Sequence, residues 1–192
     1  MKVVSIPRSG ATKFAMDLAK KHNKDYAGEL SSRMCLDYDL QSIIKNQYHE
    51  AGDGCQPMYT VKEFMNTLAE HDIKNVWLVN DHNDVSPHLR EGIFFLRKDY
   101  MKCFYSLGEV WLAQKKAGRV YWWSGAWEPY VRNLSLILDW NLQFENELYW
   151  YEDHYDFTRD YNIDKNQVNQ EVSPWLEEYK IAQKMQELIK KG

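Results

Sequence analysis

A polar turn between an apolar run and an amphipathic segment is the first place in this sequence where chemistry is expected. Residues 3–20 read VVSIPRSGATKFAMDLAK, which predicts a strand, a turn and a helix. Such a turn directs backbone N–H groups and the positive end of the helix dipole at an anion. Arg8 can bind two oxygens at once, and Gly10 lets the backbone approach a ligand closely. The turn therefore predicts an anion site, the alternative being an ordinary helix start capped by Ser9 or Thr12.

The same turn does not match an ATP-binding P-loop. Such a loop ends in Gly-Lys-Ser/Thr, whereas Lys13 follows Thr12 and precedes Phe14. The lysine that contacts β/γ-phosphates and the hydroxyl that binds Mg²⁺ therefore have no clear counterparts. A P-loop phosphotransferase acting on a small metabolite stays open as an alternative.

Composition narrows the class of protein. The 192 residues carry 24 Lys and Arg against 28 Asp and Glu, for a net charge of −4, which argues against a general nucleic-acid or membrane-surface binder. Cys35, Cys55 and Cys103 are widely spaced, so neither a metal site nor a disulfide framework is expected. No 18-residue apolar stretch occurs. We expect one cytoplasmic domain that spans residues 1–192.

Strand-like and helix-like segments alternate along the chain. The predicted strands are KVVSIP, DYAGEL, KNVWLVN, GIFFLR and ENELYWYED. The predicted helices run from Ala11 to about His22, from the capping-box spacing at Thr60, through KDYMKCFYSLGEVWLAQKKAG, through YVRNLSLILDW, and from Ser173-Pro174 to the end. Continuously apolar strands between helices predict a three-layer α/β fold, with a mainly parallel sheet flanked by helices.

Four segments together resemble the PAPS-dependent sulfotransferases. PRSGATKF is similar to the loop with which that family grips the donor's 5′-phosphosulfate. YAGEL resembles its Gly-Glu segment, GIFFLRKDYMKCFYSL its strand, Arg-Asp-Pro turn and helix with a downstream serine, and LYWYEDHYD its strand ending in Tyr-Glu-Asp. The four occur in the family's order and cover residues 3–156. The resemblance implies a P-loop-NTPase-like sulfotransferase fold, with PAPS as the donor and PAP as the product.

The resemblance also implies ligand-binding residues. The 5′-phosphosulfate would be held by Arg8, Ser9, Gly10, Ala11 and Thr12, and Lys13 is a further candidate for binding the donor. The 3′-phosphate would be held by Ser106 and by the family's basic residue eight positions earlier, which is Lys98, with the adjacent Arg97 as the alternative. Tyr151 would lie near the adenine, where its ring could stack on the base.

Transfer to an acceptor hydroxyl (or amine) needs a base to take the proton as the oxygen attacks sulfur. Glu29 is the candidate base and His82, after a predicted strand, is the alternative. The acceptor would be a small molecule, a carbohydrate or a peptide. The aromatic side chains that would line its cleft, or else pack the interior, are Tyr121, Trp122, Trp123 and Trp127.

Two residues depart from the family's pattern. Lys13 stands where an aromatic residue is usual, and Tyr100 stands in place of proline. These departures leave open a non-catalytic nucleotide-binding or assembly protein of the same fold.

Overall fold

The computed structural model describes residues 1–31, 73–77, 89–118, 126–156 and 159–192, with the backbone only for 27–31 and 74–77. The predicted helix at Thr60 lies outside these residues.

A parallel sheet organises the described part of the chain. Its strands are β1 (Lys2–Ser5), β2 (Tyr26–Ser31), β3 (Ile73–Trp77), β4 (Ile93–Leu96) and β5 (Glu147–Trp150). The order across the sheet is β2-β3-β1-β4-β5, and every neighbouring pair is parallel. The predicted α/β class and mainly parallel sheet are therefore confirmed.

Helices pack on the sheet, and further helices follow β5 toward the carboxyl terminus. They are α1 (Ala11–Lys21), α2 (Met101–Lys116), α3 (Glu128–Gln143), α4 (Tyr151–His154), α5 (Lys165–Glu178) and α6 (Ile181–Lys191). The first three match the predicted helices closely. Lys115 and Lys116 end α2, where cations favour the negative end of the helix dipole.

The predicted single terminal helix is wrong. Ser173 and Pro174 lie inside α5, which begins eight residues earlier behind an Asp164 cap. The Asp164 carboxylate accepts hydrogen bonds from two backbone N–H groups of the first turn. Lys180, with a φ of 54°, then separates α5 from α6. The aspartate cap was the stronger start signal, and the proline is tolerated in the last turns of α5.

The sheet is buried on both faces because strand side chains alternate. Val3, Ile93 and Phe95 pack with Phe14 and other residues of α1 in one cluster. The intervening strand side chains pack on the other face with the longer helices, as Val4, Phe94 and Leu96 do. Strand β4 is at most 7% exposed along its length, as a strand covered by helices on both sides requires.

From two neighbouring strands, β1 and β4, the chain continues toward opposite edges of the sheet. From β1 it passes through α1 to β2 on one side of the sheet, whereas from β4 it passes through α2 and α3 to β5 on the other. Strands β1 and β4 are neighbours, so the crevice beyond their carboxyl ends is a topological switch point. Open parallel sheets bind ligands at such a point.

Candidate functional site at the ends of β1 and β4

The loop after β1 is a tight turn that packs under an aromatic ring. Gly10 has a φ of 93°, and a Cβ there would lie 2.8 Å from two ring carbons of Tyr151. Arg8 also adopts a positive φ of 67°. Glycine is therefore required at position 10 both by the backbone conformation and by the closeness of the Tyr151 ring.

Two predicted anion-binding residues from distant segments contact each other. The Arg8 Nε donates a hydrogen bond of 2.9 Å to the Ser106 Oγ, across 98 positions of sequence. Arg8 projects from the loop after β1, and Ser106 lies in the second turn of α2, 6% exposed. The fold thus brings the family-like loop and the family-like serine to one place.

Arg97 reaches the same loop from the end of β4. Its Nε donates to the Ser9 carbonyl oxygen at 3.2 Å, and its guanidinium carbon lies 3.9 Å from the Tyr151 ring centre. Its Nη1 lies 3.5 Å from the Tyr161 hydroxyl. Of the two adjacent cations considered from the sequence, Arg97 is therefore the one that lies at the loop.

Lys98 makes contacts of a different kind. Its exposed ammonium forms an ion pair with Asp153 of α4. Its backbone N–H donates to Glu152 at 2.8 Å, and the N–H of Asp99 donates to the other oxygen of the same carboxylate at 3.3 Å. The turn after β4 is therefore capped by the carboxylate of another residue of the chain, Glu152. Glu152 and Asp153 had no predicted role, although two successive acids at a strand end were a visible signal.

The Ser9 hydroxyl is the unsatisfied group of the site. Ser9 is 1% exposed, and its Oγ has no hydrogen-bond partner in the described residues. Buried hydroxyls are normally paired, so a missing partner is informative. The first hydrogen bond of α1 runs from the Phe14 N–H to the Gly10 carbonyl at 3.3 Å. The first N–H groups of any α-helix lie ahead of its own hydrogen-bond ladder and point toward its N-terminal end. Hydroxyl and amides together offer donors to an anion.

Lys13, on the first turn of α1, contacts Asp17 and Tyr155. Its Nζ lies 3.1 Å from the Asp17 carboxylate and 4.9 Å from the Tyr155 ring centre. The Tyr155 hydroxyl donates to the same carboxylate at 2.6 Å, which lowers the pKa of Asp17, with Lys13 contributing less. Burial, together with that hydrogen bond, raises the pKa of Tyr155.

Tyr151 supports the loop. Its ring is 8% exposed and contacts the Gly10 backbone and the Arg97 guanidinium. Stacking on an adenine stays a prediction.

The candidate bases and the acceptor cleft are only partly described. The Glu29 backbone pairs with Asn75 in β3, and its side chain lies outside the described atoms, as do His82, Tyr121, Trp122 and Trp123. Trp127 is 6% exposed, and its Nε1 donates to Glu171 at 2.6 Å. Trp127 therefore packs in the core, the second of the two predicted possibilities.

Comparison with known proteins gave no relative. Neither the family models, nor the curated proteins, nor the solved structures contain a match to this chain. Among the described residues, no helix has both the length and the apolarity needed to cross a membrane.

Proposed function

We propose that the chain is a PAPS-dependent sulfotransferase with a P-loop-NTPase-like sulfotransferase fold. The observation that carries the proposal is the hydrogen bond between Arg8 and Ser106. The resemblance assigns these residues to opposite ends of one donor molecule, and they belong to motifs 98 positions apart. A chance likeness of short motifs would have no reason to bring them into contact at the switch point of the sheet.

The charges of the crevice fit a polyanionic donor. Within the described residues, neither Arg8 nor Arg97 has a carboxylate at ion-pair distance, and Arg8 is exposed. Guanidinium groups match the oxygens of phosphate and sulfate groups in geometry as well as in charge. The unpaired Ser9 Oγ adds a donor at the loop. Two cations and a hydroxyl with no carboxylate partner among the described residues favour a ligand that supplies the negative charge.

The contacts suggest which residues act on each part of the donor and on the acceptor. PAPS supplies a sulfuryl group, whose bond to the bridging phosphate oxygen breaks as a bond to the acceptor oxygen forms. Arg8 and the first amides of α1 would stabilise the negative charge that remains on that phosphate. Ser106 would hold the 3′-phosphate with Arg97 in preference to Lys98, whose ammonium is already paired with Asp153. Glu29 or His82 would take the acceptor's proton.

Binding of PAP is the direct test. Calorimetry should detect PAP binding to the wild type, and Ser106→Ala should weaken it about tenfold or more because a hydrogen bond to a charged group is lost. Ser135→Ala is the matched control, since Ser135 is a buried serine of α3 that bonds Lys184 at 2.7 Å. It should change PAP affinity by less than about twofold. Tight binding of Mg²⁺·ATP with no response to PAP would overturn the proposal in favour of a phosphotransferase.

Transfer itself needs a second assay. Labelled PAPS incubated with phenols, sugars and tyrosine peptides should give a sulfated product from at least one acceptor class. Binding of PAP without transfer to any acceptor, and without an effect of Glu29→Gln, would instead indicate the non-catalytic alternative. The proposal places the enzyme in the cytoplasm.

A further inference from the structure

A short segment between α4 and α5 lies along α2 and reaches the edge of the site. We call residues 159–164 the strap. The Glu109 carboxylate of α2 accepts a hydrogen bond from the Asn162 N–H and forms an ion pair with Arg159. One α2 side chain therefore holds the strap at two points.

The residue before Glu109 makes room for the strap. A Cβ on Gly108 would overlap the Ile163 side chain and would approach Trp127 to 3.4 Å. Glycine in the interior of a helix is unfavourable, so its presence there has a packing reason. Gly108 and Glu109 together fix the distance between the strap and α2.

The strap places one hydroxyl beside the candidate site. The Tyr161 hydroxyl lies 3.5 Å from the Arg97 Nη1. Its ring packs against Tyr105 with a centroid separation of 5.8 Å and lies 5.4 Å from the Arg159 guanidinium. Tyr105 is itself fixed by a 2.7 Å hydrogen bond to Asn169 of α5. Tyr161 is thus held from several sides with its hydroxyl directed at Arg97.

Arg97 has three supports, and each comes from a different segment. Ser9 in the loop accepts from Nε, Tyr151 of α4 lies under the guanidinium plane, and Tyr161 of the strap faces Nη1. In the described residues no partner is found for Nη2. The two N–H groups of Nη2 and the second N–H group of Nη1 are therefore the donors that, within the described residues, remain for a bound anion.

We propose that Tyr161 is a positioning residue that fixes the orientation of Arg97 toward the anion that Arg97 binds at the end of β4. The identity of that anion as the 3′-phosphate of PAPS rests on the proposed function. Without the hydroxyl, the guanidinium keeps its Nε bond and its aromatic support but can rotate about them. A donor held in one orientation binds a fixed oxygen better than a mobile donor does.

Exchange of the Arg97 Nε–H, followed by NMR in the unliganded protein, tests the proposal without a ligand. Tyr161→Phe should speed this exchange about threefold to tenfold, as expected for the loss of one ordinary hydrogen bond from a cooperative set. Tyr105→Phe is the matched control, because it removes a neighbouring hydroxyl that bonds Asn169 and not Arg97. Glu109→Gln should act in the same direction as Tyr161→Phe by loosening the strap, and it leaves both contacting side chains unchanged.

PAP affinity provides the second measurement. Tyr161→Phe should weaken PAP binding about threefold to tenfold in the wild type and should have no further effect in an Arg97→Ala background. Equal Nε–H exchange in the two phenylalanine variants, or faster exchange with unchanged PAP affinity, would overturn the positioning role. If the wild type binds no PAP, the proposed function fails, and the exchange rates still decide whether Tyr161 fixes Arg97.

Discussion

The turns at the carboxyl ends of two neighbouring strands, β1 and β4, differ in whether carboxylates of the described residues contact them. In the turn after β4, Glu152 accepts from two backbone N–H groups and Asp153 pairs with Lys98. In the turn after β1, the Ser9 Oγ has no partner in the described residues, and Arg8 contacts a hydroxyl. Within the described residues, carboxylates therefore contact the turn after β4 and none contacts the turn after β1. A strand followed by a turn and a helix is common to both, so the distinction lies in the hydrogen-bond partners.

Arg97 shows how the two turns are connected. It belongs to the end of β4, yet its Nε donates to the carbonyl of Ser9 in the other turn. A cation from the capped turn is thereby added to the uncapped one. The difference in charge between the two turns is consequently larger than the local sequence of either turn suggests.

The largest expected effect comes from filling the space above the β1 turn. Gly10→Ala places a methyl group 2.8 Å from the Tyr151 ring at a φ of 93°. Positive-φ strain and overpacking together should reduce the free energy of unfolding by about 2–4 kcal/mol, which lowers the Tm by roughly 4–16 °C. Thermal denaturation measures this change.

Gly118→Ala is the matched control for that substitution. Gly118 has a φ of 71° but nothing within 4 Å of its added Cβ, so it reports the backbone strain without the steric overlap. Equal losses of stability in the two variants would show that the Tyr151 ring does not constrain the loop.

Charge removal should separate the two turns most directly. Arg8→Ala should weaken PAP binding about 10- to 100-fold, because a charged hydrogen-bond donor to the ligand is lost. Lys98→Ala removes an equal charge only one turn away, but that ammonium is already paired with Asp153. We expect a change of less than about twofold for Lys98→Ala by calorimetry. Similar losses in both variants would contradict the assignment of one open and one internally satisfied turn.

Removal of the Glu152 carboxylate should leave the turn after β4 with backbone N–H groups that can bind an added anion. Glu152→Ala leaves the N–H groups of Lys98 and Asp99 without their acceptor, and should cost roughly 0.5–2 kcal/mol of stability, as other lost caps do. Added sulfate should then stabilise the variant more than the wild type, because it binds the vacated amides.

Glu147→Ala serves as the control for the carboxylate, since Glu147 is an exposed acid that accepts from the Tyr149 hydroxyl. If sulfate stabilises all three proteins equally in chemical denaturation, the capped turn is not a latent anion site.

Much of this arrangement was accessible from the sequence. The strands and helices around the loop were predicted within a few residues because apolar periodicity is strong there. The sequence also contained a signal that favours Arg97 over Lys98 as the cation at the loop, and the spacing from Ser106 does not show it. Alternation along β4 directs Phe95 toward α1 and Leu96 away from it, so Arg97 continues on the side of α1 and its loop.

The acids at the end of β5 were visible in the sequence, but the partners of Glu152 and Tyr161 were not. These contacts join segments more than 50 positions apart, and only the folded chain brings these together.

A third polar cluster allows the smallest and most specific test. Asp17 accepts from Tyr155 at 2.6 Å and pairs with Lys13, and the Tyr155 hydrogen bond is the main reason that the pKa of Asp17 is lowered. A carboxyl whose pKa falls on folding stabilises the protein above its unfolded pKa and loses that contribution as pH drops through the folded value. Asp17→Asn should therefore flatten the dependence of stability on pH below about pH 4, by at most about 1 kcal/mol for an exposed group. Tyr155→Phe should flatten it more than Lys13→Ala does, and the reverse order in acid titrations of unfolding would show that charge pairing outweighs the hydroxyl.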